Sequence, residues 1–322
     1  MDRTLSPALS SRWIRSRRSR FAVTAMLAAL VGALTLVTPT ADAQQGEFGL
    51  NPAQVFSHVF VVVMENRSYQ SVMSNPVIAR IAARGGVATN YYAVAHPSLP
   101  NYLALSGGST FGITSDCVTC YVRAPNLFSQ LSAAHITYDA YLEGVPGPCF
   151  LATYGGNDYA SKHNPFRYYD NVRSSPSICS HLRSYADFAP ALARPSAKVP
   201  SFLWVTPDLC HDGHDCSTPV AASWLTGFVN EVTSSAAYKS GGLLIITWDE
   251  GYGSAGGGGQ VATIVLSALT KPGTRVGEHL THYSVLATVQ DNFNLTRIGH
   301  AAGAPNLAAF FKVSYVSTRS TN

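Results

Sequence analysis

Five short runs of almost unbroken apolar residues constrain this chain most: His58–Met64 (HVFVVVM), 136–142 (ITYDAYL), 201–205 (SFLWV), 243–248 (LLIITW) and 261–266 (VATIVL). A strand with one wet face alternates apolar and polar residues, whereas a run apolar throughout must be covered on both faces. These runs therefore read as buried parallel strands. Helix-like stretches lie between them, at 126–134 and 284–293. In the second, Val285, Leu286, Val289 and Phe293 fall on one helical face. The alternation predicts an α/β fold, with helices on both faces of a mostly parallel sheet. No internal repeat or long linker interrupts it, so residues 44–322 are expected to form one domain. Residues 144–180, rich in Gly, Pro, Tyr and Asn, are expected to make a long excursion over the active edge.

Residues 1–43 read differently. Arginine-rich sequence precedes an uncharged apolar run at 21–38, and Ala41-Asp42-Ala43 follows. Basic region, apolar region and small-residue site come in the order of a secretory signal peptide. A transmembrane anchor is the alternative for a run of this length. The Ala/Gly/Thr-rich composition and the cleavage-like site favour export, with no stable membrane anchor after cleavage near Ala43. Arg17-Arg18 hints at twin-arginine export, while Arg20 leaves the route open. The formal charge of +4 also resides here. Six arginines and two aspartates fall within residues 1–43, so 16 of the 22 basic and 16 of the 18 acidic side chains remain beyond it. A neutral remainder gives no reason to expect a nucleic-acid partner. With 46% hydrophobic and 12% charged residues, the chain is not a disordered one. Six cysteines suit an oxidising compartment. Nearest-neighbour pairing gives Cys117–Cys120, Cys149–Cys179 and Cys210–Cys216, one of about fifteen connectivities. A single Cys-x-x-Cys is weak evidence for zinc, and loop staples are expected instead.

In open α/β sheets, function gathers at the carboxyl ends of the strands. Three of the apolar runs end in polar residues: Glu65-Asn66-Arg67-Ser68, the stretch 206–216, and Asp249-Glu250-Gly251. Glu65, Asp249 and Glu250 at one edge would repel each other, and a hard divalent cation is the usual remedy. In Ala95-His96-Pro97-Ser98-Leu99-Pro100, Pro100 fits the first turn of a helix and puts Ser98 at its amino end. From this segment alone, Ser98 reads better as an N-cap than as a nucleophile. A helix amino end also suits an anionic substrate, and a nearby metal would lower the hydroxyl pKa without a histidine base. His163 lies in the excursion, and His211 and His214 lie between Cys210 and Cys216. Each alone reads as a surface or satisfied histidine. Brought to the edge that holds Ser98, His163 and His214 would bind phosphate oxygens or protonate a leaving group. Asp212 and Asp215, flanking the imidazole of His214, would raise its pKa. Residues 256–259 are no P-loop, since no Gly-Lys-Ser/Thr follows, and no Gly-x-Ser-x-Gly elbow occurs to support a serine esterase.

Taken in order, Glu65-Asn66-Arg67-Ser68, His96-Pro97-Ser98-x-Pro100-Asn101-Tyr102, Lys162-His163-Asn164-Pro165-Phe166, Asp212-x-His214-Asp215, Trp248-Asp249-Glu250 and His282-Tyr283 resemble the phosphoesterase family. That family holds secreted bacterial acid phosphatases and phosphatidylcholine-type phospholipases C, within the alkaline-phosphatase-like superfamily. The resemblance runs from about residue 56 to residue 296, and is strongest to the small secreted acid phosphatases. It implies a three-layer α/β/α sandwich and phosphomonoester hydrolysis through a phosphoserine. By the same resemblance, Glu65, Asn66, Ser98, Asp249 and Glu250 would surround a divalent metal. His163 and His214 would contact the phosphate, one of them serving as acid to the leaving oxygen, with Asn66 and His96 as further phosphate contacts. His282 would lie near the site without an assigned role. Position 211 carries His where the pattern has Asn. Sulfatases of the superfamily need an Arg four residues after the nucleophile, where this chain has Tyr102. The implied substrate is a small phosphorylated compound, with phosphoinositide and other phospholipid head groups included. Two rivals stand beside this reading. One is a phospholipase C, although such relatives tend to be longer. The other is an exported binding protein that keeps the fold without turnover.

Overall fold

The computed structural model describes residues 55–311 except Asn157, and the expected signal peptide at 1–43 lies outside the described residues. Among the described residues ten strands are present: β1 (His58–Met64), β2 (Gly86–Ala88), β3 (Tyr91–Tyr92), β4 (Tyr138–Leu142), β5 (Leu182–Ser184), β6 (Phe202–Thr206), β7 (Gly242–Trp248), β8 (Thr263–Ser267), β9 (Thr274–Val276) and β10 (Leu280–Thr281). Eight form one sheet in the order β5-β4-β6-β1-β7-β8-β2-β9, while β3 and β10 pair separately. All neighbours in the large sheet are parallel except those of β8, which runs against both β7 and β2. The apolar run at 261–266 was expected to be a parallel strand, and here the structure differs. The connection from β7 to β8 carries no crossover helix, so the chain returns antiparallel.

All seven residues of β1 and of β7 are buried, which requires cover on both faces because successive side chains point to opposite sides. The helix Ser98–Gly107 packs on the helix His282–Asn292, and Pro76–Ala83 packs on Thr218–Ser234. The last is the longest helix described. Its buried residues Ala221, Ala222, Leu225, Phe228, Val229 and Val232 keep helical spacing, a signal present in the sequence. Among the described residues, no helix is long and apolar enough to cross a membrane.

Register decides the site. Met64 of β1 pairs with Trp248 of β7, so the next residues, Glu65 and Asp249, leave adjacent strands at the same level. β6 lies on the other side of β1 and leads into the loop 207–217. Disulfides join Cys117 to Cys120, Cys149 to Cys179, and Cys210 to Cys216, the nearest-neighbour pattern. The Cys149–Cys179 bridge spans the expected excursion, which folds into short helices that include Ser161–His163 and Pro165–Tyr168.

Candidate active site

Glu65, Ser98, His163, Asp212 and Asp249 are all essentially buried at the carboxyl ends of β1, β6 and β7. The main chain ties these ends together. Glu65 N–H donates to the Asp212 carbonyl, and Asp249 N–H donates to the Met64 carbonyl. Asn66 adopts a left-handed φ of 48°, a conformation that Asn tolerates better than most residues, and its N–H donates to Asp249 Oδ1 at 3.0 Å.

Ser98 opens the helix Ser98–Gly107, as the Pro100 spacing predicts, but Pro97 occupies the cap position and makes no capping hydrogen bond of its own. The N-cap reading of Ser98 therefore falls away. Its hydroxyl donates to Glu65 Oε2 at 3.2 Å, and Tyr102 OH donates to Glu65 Oε1 at 2.7 Å. Asn101 holds the approach to Ser98. Its Oδ1 accepts from the N–H groups of Val94 and Ala95, and its Nδ2 donates to the carbonyls of Ala95 and Pro97. Asp116 accepts the N–H of Leu99 at 3.0 Å with one oxygen and pairs with Lys162 Nζ at 2.9 Å with the other. Sequence reasoning assigned no role to Asn101 or Asp116, because their partners are set by tertiary contact. The glycines at 257 and 258 let the 251–259 loop approach the same segment. A Cβ at either would sit 2.2 Å from the carbonyl oxygen of Val94 or Ala95.

The electrostatics are those of a cation site. Burial, followed by repulsion from Asp249 and Asp212, pushes the Glu65 carboxyl well above its usual range. Burial likewise raises Asp212, and burial with the neighbouring Glu250 raises Asp249 to about 6. His163 stacks on Tyr102, with ring centroids 5.2 Å apart. Its Nε2 lies 3.1 Å from Glu65 Oε1 and its Nδ1 lies 3.2 Å from Asp212 Oδ2, neither in hydrogen-bonding alignment. Burial holds its pKa down at about 3, against the pull of Asp249. With the imidazole held neutral and the carboxyls raised, these contacts are ligand-like rather than salt bridges. Asp249 Oδ2 is buried without a hydrogen-bond partner. Buried oxygens left unpaired are costly, so this donor set fits a divalent cation. Glu65, His163 and Asp212 can meet at one ion, with ligand atoms within 4.8 Å of one another.

The other expected residues are placed as follows. Glu250 faces His96, with Nδ1 2.5 Å from Oε2, while His96 Nε2 lies 2.7 Å from the Gly253 carbonyl. Burial opposes charge on His96, but these two acceptors prevail and raise its pKa. The imidazole of His214 is flanked by Asp215 alone, at 2.6 Å, because Asp212 Oδ1 takes the His214 backbone N–H instead. His214 sits beside the cluster, its ring centroid 5.9 Å from that of His163. His282 Nε2 donates to the Asp249 carbonyl at 2.6 Å and Nδ1 faces Tyr91 OH at 3.0 Å. Burial drops its pKa to about 4, so it acts as a neutral prop for the Asp249 backbone. His211 turns away from this cluster toward Glu143 and Asp208. A separate cavity of about 720 Å³ under residues 302–309 is lined mainly by small residues, with its Asp291 already paired with Arg297.

Comparison with known proteins gives a consistent picture. The sequence profile of the Phosphoesterase family matches residues 72–296. The chain is 34% identical over 286 residues to a phosphatidylinositol-3-phosphatase of Mycobacterium tuberculosis, covering 87% of this chain and 88% of the relative. It is 29% identical to an acid phosphatase of Aspergillus fumigatus over 76% of this chain, and spans 56% of that relative. Among solved structures, a protein of the alkaline phosphatase superfamily from Vibrio parahaemolyticus aligns with a TM-score of 0.55 at 11% identity, covering 79% of this chain and 71% of its own. A lipoteichoic acid synthase from Listeria monocytogenes aligns with a TM-score of 0.55 at 10% identity, covering 81% and 80%. The last two establish a shared fold.

Proposed function

Because the chain belongs to the phosphoesterase family, we propose that it is a phosphatase that hydrolyses phosphate monoesters with Ser98 as nucleophile. One observation carries the reading: the Ser98 hydroxyl, at a helix amino end, bonds to a buried carboxylate cluster that holds an unpartnered oxygen. Glu65, Asp249, Ser98 and Asn66, with Glu250 beside them, would hold a divalent cation, and His163 and Asp212 are further donors within reach of Glu65. Such a cation supplies positive charge that lowers the hydroxyl pKa and offsets charge on the phosphate.

The chain's own groups then have distinct tasks. Glu65 and Tyr102 orient the hydroxyl and its neighbour carboxylate, and Asn101 fixes the turn before it. The Ser98 hydroxyl passes its proton to the Glu65 carboxylate it bonds, its oxygen attacks phosphorus, the bond to the leaving oxygen breaks, and that oxygen takes a proton from a histidine. His163 is enclosed and neutral, so its tasks are ligation and phosphate contact. His214, partly exposed and hydrogen-bonded to Asp215, is the better proton donor. Water then cleaves the phosphoserine and restores the hydroxyl. Lys162, paired with Asp116 and raised in pKa by it despite burial, places a lasting positive charge near Glu65 and Asp249. His96, whose pKa rises against burial through the Gly253 carbonyl and Glu250, suits an anionic substrate. Rapid acid quench of enzyme with p-nitrophenyl phosphate, followed by peptide mass spectrometry, tests the covalent step. Phosphate on Ser98 is expected, and its absence under burst conditions would overturn it.

A lipid head group is the finer substrate reading, favoured by the mycobacterial relative's name. Release of phosphate from vesicles carrying phosphatidylinositol 3-phosphate tests it against a soluble monoester. Cleavage of bis-p-nitrophenyl phosphate instead would favour the phosphodiesterase alternative. We also propose export by the segment 1–43, leaving 44–322 as the mature domain; the three disulfides support this. A mature amino terminus after Ala43 in the culture medium is the expected result.

A further inference from the structure

On the far side of the Cys210–Cys216 loop lies a second group of metal-ligating side chains that the proposed reaction does not use. His211 Nδ1 is 2.9 Å from Glu143 Oε2 and 3.3 Å from Asp208 Oδ2, and the three residues can present ligand atoms within 4.8 Å of one another. That nitrogen is buried and has no hydrogen bond in proper alignment, although both carboxylates are near. The carboxylates are themselves held from behind. Glu143 Oε2 accepts the N–H of Asp208, and Asp208 Oδ1 accepts the N–H groups of Cys210 and His211. Metal-binding carboxylates and imidazoles need this kind of outer support to fix their direction. The His211 ring stacks on Trp224, with centroids 5.9 Å apart and planes 20° apart, which fixes the imidazole as well. A cavity of about 510 Å³, lined by residues that include His211, Tyr185, Trp224, Phe228 and Glu231, opens on the His211 side of the cluster.

We propose that Glu143, Asp208 and His211 form a second divalent transition-metal site, separate from the catalytic one and matched to Zn²⁺ by its one imidazole and two carboxylates. Its ligands come from the end of β4, the end of β6 and the disulfide loop. An ion there ties the loop that carries Asp212 and His214 to two neighbouring strands. The site is structural, and it stands whether or not Ser98 is the nucleophile.

The rival is a purely protein-based contact in which a protonated His211 bridges the two carboxylates. Zn²⁺ titration of metal-stripped full-length protein by calorimetry separates them, with Co²⁺ absorption as a second readout. Wild type is expected to bind two ions. His211→Asn and Glu143→Gln should each lose one and keep the other, while Asp249→Asn should lose the opposite one. Saturation of the His211 site should raise the Tm by about 5 °C in wild type and in Asp249→Asn, but not in His211→Asn. Circular dichroism checks that each variant is folded. The proposal is overturned if His211→Asn and Glu143→Gln bind as many ions as wild type with unchanged affinity, or if Asp249→Asn alone removes all binding.

Discussion

Two groups of one histidine and two carboxylates each draw a ligand from the same disulfide loop, Cys210–Cys216, and they differ chiefly in burial. Glu65, His163 and Asp212 are sealed from water, and burial pushes the acids up and the imidazole down. Glu143, Asp208 and His211 are part-exposed, beside an aromatic cavity. Only the first has a hydroxyl at a helix amino end hydrogen-bonded to it. The lesson is that ligand chemistry alone does not make a reaction site. A dry cluster whose charge is unbalanced, next to a nucleophile, is what distinguishes one set of donors from the other.

The hardest test of that distinction is Ser98→Ala. It should lower kcat on p-nitrophenyl phosphate by about a thousand-fold or more while the protein stays folded. By contrast, His211→Asn should leave turnover within about three-fold. If the two variants lost equal activity, the comparison would collapse.

Chelation comes next in size. Removing the cation should abolish turnover and also destabilise the protein, and the sign of its pH dependence follows from the raised carboxyls. A carboxyl whose folded pKa exceeds its unfolded one favours the folded state below the unfolded value, and that contribution is lost as pH rises through the folded one. For Asp249 the window runs from about 4 to about 6. Chelated protein should therefore lose more Tm at pH 8 than at pH 5, where the cluster relieves its repulsion by taking protons. A pH-independent loss on chelation would move the critical ion away from the buried cluster.

His214→Ala sharpens the assignment of the proton donor within the buried side. It should slow alkyl phosphates at least ten-fold more than p-nitrophenyl phosphate, whose phenolate departs without help. Equal losses on both would make His214 a phosphate contact, and no loss on either would make it structural.

Asn101→Ala tests whether the site needs its scaffold. Four hydrogen bonds around residues 94–97 would be lost, a destabilisation of about 2–4 kcal/mol in urea unfolding. A kcat that falls with KM unchanged would show that Ser98 has been displaced. The smallest effect is expected at His282. Its folded pKa of about 4 lies below the unfolded value near 6.5, so its share of stability is present above 6.5 and is lost as pH falls toward 4. His282→Gln should flatten the stability curve across that window.

Much of the fold was legible in the sequence. All five apolar runs are strands, and His58–Met64 matches β1 at both ends. The helix starting at Ser98 could be placed from Pro100, because proline at that position restricts the local backbone. The reversal of β8 was not legible, since a fully buried strand is apolar throughout in either direction. Of the residues expected at the site, Glu65, Ser98, His163 and Asp249 come together in the dry interior, with Asn66 and His214 beside them. His96 and Glu250 pair at its rim. Asp212 was expected only as a neighbour of the His214 ring, whereas its carboxylate lies in the cluster and takes that residue's backbone N–H. A turn of a few residues sets such a contact, and spacing along the chain does not resolve it.

By itself, the sequence determined which residues could carry the chemistry and that strand ends would present them, since apolar runs followed by Glu, Asp and His are a local pattern. Only the tertiary structure decided how those residues were divided. Strand order put β6, β1 and β7 side by side, and pairing of Met64 with Trp248 set Glu65 level with Asp249. The turn at 210–216 then sent Asp212 inward and His211 outward toward Glu143. Burial is a property of the packed whole rather than of any segment. It decides which acids and histidines stay charged, and so which cluster can do the work of a phosphoesterase.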